Sequence, residues 1–250
     1  YNTEIKTVSH NGTQLTAVVD QNGTEYKSDI FVINADAAWF RGHFLGRKKY
    51  SVEKLDKLEW TLAPFTIYLG IKGQIPGIHH HNYFLGDNFK GYADTIFRSS
   101  VAPKKPYYYV NVASKSNPEC APEGCENLFI LCPVPDRRVK PNWDDAETLV
   151  SEIIEDLGQR VNFDIKNNIL TKVVYTPIEW EKMFNLYRGS GLGLAHGLNQ
   201  IGAFRPSNKD EELNNLYYVG ASTTPGTGLP IVVIGSKLIL ERIEHEHPAF

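Results

Sequence analysis

Asn215-Leu-Tyr-Tyr-Val-Gly-Ala-Ser-Thr-Thr-Pro-Gly-Thr-Gly-Leu-Pro-Ile-Val-Val-Ile-Gly-Ser-Lys237 is the stretch on which the reading of this chain turns. A short apolar strand, Leu216 to Gly220, ends in small residues that let a ligand approach the backbone closely. A helix then opens near Gly228-Leu229-Pro230 and is expected to run to about Glu244. Its first N–H groups face the loop without intrahelical partners, which suits a phosphate or an electron-rich ring edge. Strand, glycine turn and helix also occur together as a plain structural turn. Four glycines and two prolines between Gly220 and Gly235 weigh against that plain reading.

Working outward, residues 1–33 read as β structure. Strands Glu4–Ser9 and Gln14–Val19 flank Asn11-Gly12, the pattern of a type I′ hairpin. Asn22-Gly23 marks a second turn, followed by one strand from Tyr26 to Asn34. Asn11-Gly-Thr and Asn22-Gly-Thr also match glycosylation sequons, although the turns already account for both. Asp36 opens a helix that reaches Phe44, and a short helix spans Ser51 to Leu58. Pro64 closes that region, and Phe65–Ile71 is a buried-type strand. Residues 71–91 are rich in turns. Further strands are Tyr107–Ala113 and Leu128–Val134, with loops at 103–106 and 117–124. Asp144 to Val161 is the clearest helix, with Leu149, Val150, Ile153, Ile154 and Leu157 on one face and acidic residues in its first turns. Asn168–Thr176 is a strand, and Pro177–Phe184 a short helix opened by its proline.

Composition excludes several classes. In 250 residues the net charge is −3, so no basic field attracts nucleic acid. Three cysteines, Cys120, Cys125 and Cys132, lack paired zinc spacing and are too sparse for a disulfide framework. They fit a reducing cytoplasm. The stretch Leu229–Leu240 is broken by Pro230, Gly235, Ser236 and Lys237, so it is not expected to span a membrane. His79-His80-His81 invites a metal reading, but neighbours on a strand point to opposite faces and converge poorly on one ion; no metal is expected. Met183 is the sole methionine and Tyr1 the first residue, so the chain is expected to be a piece of something longer.

The Gly220–Lys237 stretch resembles the C-terminal flavin-binding segment of bacterial phytoene desaturases and related carotenoid dehydrogenases. The resemblance extends to Val32-Ile-Asn-Ala-Asp-Ala37, to Cys120-Ala-Pro-Glu-Gly124 with Asn127-Leu-Phe-Ile-Leu-Cys-Pro-Val-Pro135, and to Thr176-Pro-Ile-Glu-Trp-Glu181. It includes Gly189–His196 and Gln200-Ile-Gly-Ala-Phe-Arg-Pro-Ser-Asn208. These motifs follow family order along nearly the whole chain. The family's N-terminal strand–Gly-x-Gly-x-x-Gly–helix is missing. Gly189-Ser-Gly-Leu-Gly-Leu-Ala-His-Gly197 follows no apolar strand and does not replace it.

The resemblance implies an α+β or α/β, glutathione-reductase-like FAD-binding fold without its N-terminal Rossmann half, with mixed and antiparallel sheet and covering helices. Residues 1–45 would be a hairpin and strand–helix part of the FAD domain, 46–205 the substrate domain, and 206–250 the C-terminal strand, flavin turn and helix. FAD would meet Asn34, Ala35 and Asp36, then Gly220, Ala221, Ser222, Thr223, Pro225 and Gly226, then Gly228, Leu229, Pro230 and Ile231. His80, His81, Tyr83, Phe184, Gly191 and Leu192 would line the path of a hydrophobic polyene such as phytoene or diapophytoene. His196 is a candidate acid–base group or a structurally satisfied histidine. Arg205 is a candidate for a phosphate or carboxylate, or one end of a structural salt bridge. The implied partners are the missing nucleotide-binding half and, peripherally, the inner face of the cell membrane, from the cytoplasm. Two other functions stay open: a polyene isomerase or retinoid saturase-like flavoprotein, and a non-enzymatic lipid- or carotenoid-binding module.

Overall fold

The computed structural model of the chain describes residues 1–248. Its first elements are β1 (Ile5–His10), β2 (Leu15–Asp20), β3 (Glu25–Tyr26), β4 (Phe31–Ile33), α1 (Ala37–His43) and α2 (Val52–Leu55). Then come β5 (Ala63–Lys72), β6 (His81–Phe84), α3 (Phe89–Arg98), β7 (Tyr108–Asn111), β8 (Cys125–Val134) and α4 (Ala146–Val161). The chain closes with β9 (Ile169–Tyr175), α5 (Pro177–Phe184), β10 (Leu216–Tyr218) and α6 (Leu229–Glu246). Two compact units result. One takes residues 1–61, 184–187 and the chain from Leu192 onward; the other takes 62–183 and 188–191. Of the three expected parts, 1–45 and 206–248 lie in the first unit, as do 46–61 and 192–205 from the middle part.

In the first unit, β1 and β2 pair antiparallel, but the turn between them is not type I′. His10 faces Leu15 across a four-residue loop, Gly12 alone takes positive φ (101°), and Asn11 does not. The Asn11 Oδ1 instead accepts from the Thr13 and Gln14 N–H groups, so a side chain supplies the turn. The single strand expected over Tyr26–Asn34 is split. β3 extends the hairpin, whereas β4 pairs in parallel with β10, from Leu216↔Phe31 to Tyr218↔Ile33. The buried Asn215 amide bridges the two sheets, donating to the carbonyls of Leu15 and Asp29. Asp36 caps α1 through Trp39 N–H at 2.7 Å, as expected.

A buried charge cluster fixes the chain before β10. The Arg41 guanidinium lies 3.6 Å from the Tyr218 ring centroid and donates to the Ser207 carbonyl. Arg47 pairs with Asp210 and Glu212. Desolvation alone would raise the Asp210 carboxyl. Hydrogen bonds from Tyr218 Oη and the Leu213 and Glu212 N–H groups, with the charge of Arg47, hold it below the usual carboxylate range.

The second unit is one antiparallel sheet in the order β6-β7-β8-β5-β9. Phe65, Ile67, Leu69, Ile71, Leu128, Ile130 and Val110 point to one face and pack against Leu149, Val150, Ile153 and Leu157 of α4. All five residues assigned to the buried face of α4 are buried. Pro64 lies within β5 rather than before it. It faces Pro133 at the end of the ladder, where neither nitrogen has a proton to donate. α3 begins at the end of the turn-rich stretch 71–91 and runs through residues to which the sequence assigned no element. Asn88 caps it, and only Tyr92 and Ile96 of its residues are buried. No helix among the described residues is long and apolar enough to cross a membrane.

Candidate functional site

Parallel strands bind ligands beyond their carboxyl ends, and β4 and β10 run parallel. Asn34-Ala35-Asp36 leaves the end of β4, and Gly220 and the glycine-rich loop leave the end of β10. The two turns are joined side chain to side chain: Ser222 Oγ donates to Asp36 Oδ2 at 2.6 Å, in a buried contact. Burial pushes the Asp36 carboxyl above its usual range, opposed by Ser222, by the Trp39 and Ala38 N–H groups and by the charge of Arg41. Ser222 and Asp36 thus lock the loop to the helix cap.

Gly220 takes φ 108°, and a Cβ there would stand 3.5 Å from Asn34 Oδ1. Gly226 takes φ 136°, and a Cβ there would meet His196 Nε2 at 2.6 Å. Gly193 admits Ser222 in the same way, at 2.9 Å from its Oγ. The turn therefore needs glycine for reach as well as conformation.

Arg205 is buried and meets no carboxylate among the described residues. Its guanidinium donates to five main-chain carbonyls, those of Thr223, Ala221, Leu194, Ala195 and Gln200. Among the described residues the salt bridge read as an alternative is not formed, because these carbonyls occupy every guanidinium nitrogen. Arg205 thereby ties the 194–200 loop to the glycine turn. His196 is exposed, and its Nε2 accepts from Thr227 N–H at 3.4 Å. Partial burial and the nearby Arg205 charge hold the imidazole below its ordinary value, so it favours the neutral form.

α6 begins at Leu229 after Gly228, and no side chain caps it. Its first intrahelical acceptor is the Gly228 carbonyl, taken by Val232 N–H. The preceding turn is part-buried or buried through Ala221, Ser222, Thr223, Pro225 and Gly226, whereas Gly228, Leu229, Pro230 and Ile231 are exposed. The arrangement is an open, uncapped N-terminus beside a glycine turn, and it can hold an anionic or electron-rich group.

The second unit contributes a different surface. The sheet face away from α4 carries Tyr68, Phe129, Tyr109, Tyr83 and Tyr175, with ring centroids 5.2 Å apart for Tyr68–Phe129 and 5.6 Å for Tyr68–Tyr175. Tyr83 and Tyr109 lie 5.2 Å apart, so rings cross the sheet from β9 to β6. Trp180 of α5 covers the β5–β9 end, donating to Thr66 Oγ1. The sequence singled out His80, His81 and Tyr83 but not these other rings; alternation along β5, β7 and β8 was the signal available.

His81 Nδ1 meets Tyr109 Oη at 2.5 Å, and His80 Nδ1 meets Ser116 Oγ at 2.8 Å. The two imidazoles stack at 4.2 Å, so they do not point to opposite faces. His80 precedes β6, and strand alternation does not govern it. Gly191 abuts Pro64, whose Cδ would lie 2.8 Å from an added Cβ. Phe184, at the end of α5, and Leu192 are both exposed.

The fold is shared with solved structures. An oxidoreductase from Methanosarcina mazei superposes with a TM-score of 0.57 at 18% identity, covering 96% of this chain and 49% of that one. A protein from Pyrococcus furiosus gives 0.54 at 14% identity, covering 97% and 46%. These likenesses define an α/β fold with antiparallel sheet. No family model matches the chain.

Curated relatives are closer in sequence. The zeta-carotene-forming phytoene desaturase of Myxococcus xanthus is 34% identical over 245 residues, 97% of this chain and 47% of the relative. The phytoene desaturase of Fusarium fujikuroi is 32% identical, over 90% and 43%. The 4,4'-diapophytoene desaturase (4,4'-diapolycopene-forming) of Methylomonas sp is 30% identical, over 98% and 49%. The chain belongs to the phytoene and diapophytoene desaturase family. It spans about half the length of the curated relatives it matches.

Proposed function

We propose that this chain works as the C-terminal half of an FAD-dependent desaturase that removes hydrogen from a carotenoid precursor such as phytoene or diapophytoene. The observation that carries the reading is the pair of turns beyond β4 and β10, latched by Asp36 and Ser222 and followed by the uncapped start of α6.

The residues present fit a flavin. Gly220 and Gly226 both keep positive φ, and Gly226 leaves no room for a side chain toward His196, so the backbone itself forms the cradle. FAD supplies the two-electron acceptor that no side chain provides. Asn34, Ala35 and Asp36 with Gly220–Thr223 would hold its phosphate and ribityl part, and Pro225 and Gly226 with Gly228–Ile231 would hold the electron-rich edge of its ring. Leu229 and Ile231 N–H groups then present the positive end of the α6 dipole, which favours added negative charge. Arg205 keeps the loop in place and touches no reacting atom.

The aromatic face of the five-stranded sheet suits an extended polyene. Tyr68, Phe129, Tyr109 and Tyr83 offer flat apolar area and exclude water. His80, His81, Tyr83, Phe184, Gly191 and Leu192 remain proposed substrate contacts. The nucleotide-binding half would add strands beside the β4–β10 pair. Parallel sheets are buried on both faces, and two strands alone are too few; yet Val32 is 48% exposed. Because the substrate dissolves in lipid, we also propose peripheral contact with the inner face of the cell membrane.

The test is the absorbance spectrum of the intact purified protein. Oxidised flavin bands, bleached by phytoene or diapophytoene without oxygen, are the expected result. Gly226→Ala should lower flavin content severalfold, since its Cβ collides with His196 and its φ is costly by about 1–3 kcal/mol. An intact protein without flavin absorbance overturns the reading.

A further inference from the structure

The 85–105 segment of the second unit carries apolar and positive surface that the proposed site does not use. At about 100° per residue, Tyr92, Ile96, Phe89, Ala93 and Phe97 form one apolar arc of α3, about 140° wide. Half of that arc is satisfied: Tyr92 and Ile96 pack with Tyr107. The other half is open, with Phe89 73% and Phe97 50% exposed. Leu85 and Val101 are exposed at either end of the helix. Lys90 borders the open half, Asp94 and Arg98 lie beyond it, and Lys104 and Lys105 lie on the loop that follows. A helix whose apolar stripe is wider than its own protein covers, edged by a lysine and followed by a lysine pair, fits a lipid–water boundary.

Beside it is a surface cavity of about 380 Å³, walled by Gly86, the first turn of α3 at Asn88 and Gly91, Lys104, Lys105 and Tyr107. Asp87 is its one acidic lining residue. The Tyr107 ring is fixed from two sides. It stacks on Tyr92 with centroids 4.3 Å apart and planes 5° from parallel. Gly86 lies so close that a Cβ there would stand 2.7 Å from the Tyr107 Cε1. Tyr107 is 8% exposed, and its buried hydroxyl has no hydrogen-bond partner among the described residues. Buried hydroxyls are rarely left so. Tyr107 is one of the residues walling the cavity, which also presents two lysines and the Asn88-capped start of α3.

We propose that this segment seats the protein on an anionic bilayer, with Phe89 and Phe97 in the headgroup–acyl boundary and one phospholipid phosphate in the cavity. Lys104 and Lys105 supply charge, and Tyr107 donates its hydroxyl proton to a phosphate oxygen. The proposal rests on the membrane contact proposed above and names the surface and the headgroup chemistry.

Sedimentation of the intact protein with vesicles of phosphatidylcholine, with and without phosphatidylglycerol, tests it. Tighter binding to phosphatidylglycerol vesicles, weakened by salt, is expected. K104Q/K105Q should weaken that binding about tenfold or more, and F89S/F97S should weaken binding to both vesicles. Tyr107→Phe keeps the ring and removes only the unpartnered hydroxyl. It should leave Tm unchanged and cost about threefold in affinity for phosphatidylglycerol vesicles. Vesicle binding that all three variants retain at the parent's level overturns the assignment of this surface while the membrane contact stands. Equal parental affinity for both vesicles overturns the headgroup site. No parental binding to either vesicle overturns both the surface and the membrane contact.

Discussion

Asp36 does two jobs at one position: one carboxylate oxygen caps α1 and the other receives Ser222 from a turn 186 residues away. The cap was readable, because an aspartate before an apolar helical run is a local signal. The latch to Ser222 was not, since nothing local pairs two residues so far apart. Ser222→Ala should cost about 1–3 kcal/mol, by leaving a buried carboxylate oxygen unsatisfied, and chemical denaturation measures it. The pH dependence has a definite sign. The folded-state Asp36 carboxyl is raised above its ordinary 3.8, so the fold favours the protonated acid. Stability relative to Asp36→Asn is therefore greatest below 3.8 and falls as pH rises toward the folded-state value. Denaturation midpoints of the two proteins that keep a constant difference across that range would contradict the assignment. Arg205 carries the opposite lesson. Its neighbour Pro206 suggested a ligand or a carboxylate, but five carbonyls that only the folded loops bring together take the side chain.

Elements with a strong period were legible, and elements defined by their partners were not. α4 announces itself through Leu149, Val150, Ile153, Ile154 and Leu157, and all five are buried. Ile153, with no exposed surface, should cost about 2–5 kcal/mol on replacement by alanine, measured by urea unfolding; a loss under 1 kcal/mol would place that face elsewhere. α5 follows from Pro177 at its first turn. The strand expected over Tyr26–Asn34 failed because its two halves join different sheets, a decision made by β2 and β10 rather than by its own residues. α3 escaped for a different reason. Gly86, Asp87 and Asn88 read as a turn, and the helical spacing of Phe89, Tyr92, Ile96 and Phe97 that follows was the signal available.

For the molecule as a whole, what is left uncovered is as informative as what is packed. Leu229 is 83% and Val233 67% exposed on α6, and Val32 sits on the open two-stranded sheet. Apolar surface of this kind marks an interface. Leu229→Gln with Val233→Gln should reduce self-association of the 250-residue chain expressed alone, read by sedimentation velocity. Unchanged association would move the interface off α6. The proposed nucleotide-binding half would cover this surface; the relatives, about twice as long, leave room for one. The sheet face that would receive the polyene was less legible, since tyrosines serve cores as often as ligands and only strand pairing sorts them. The most direct test is the product mass after incubating the intact protein, in lipid vesicles, with phytoene or diapophytoene. A desaturase gives a product lighter by two hydrogens for each double bond introduced, with matching bleaching of bound flavin. A product of unchanged mass with shifted double bonds, or recovery of the substrate alone, would contradict the account.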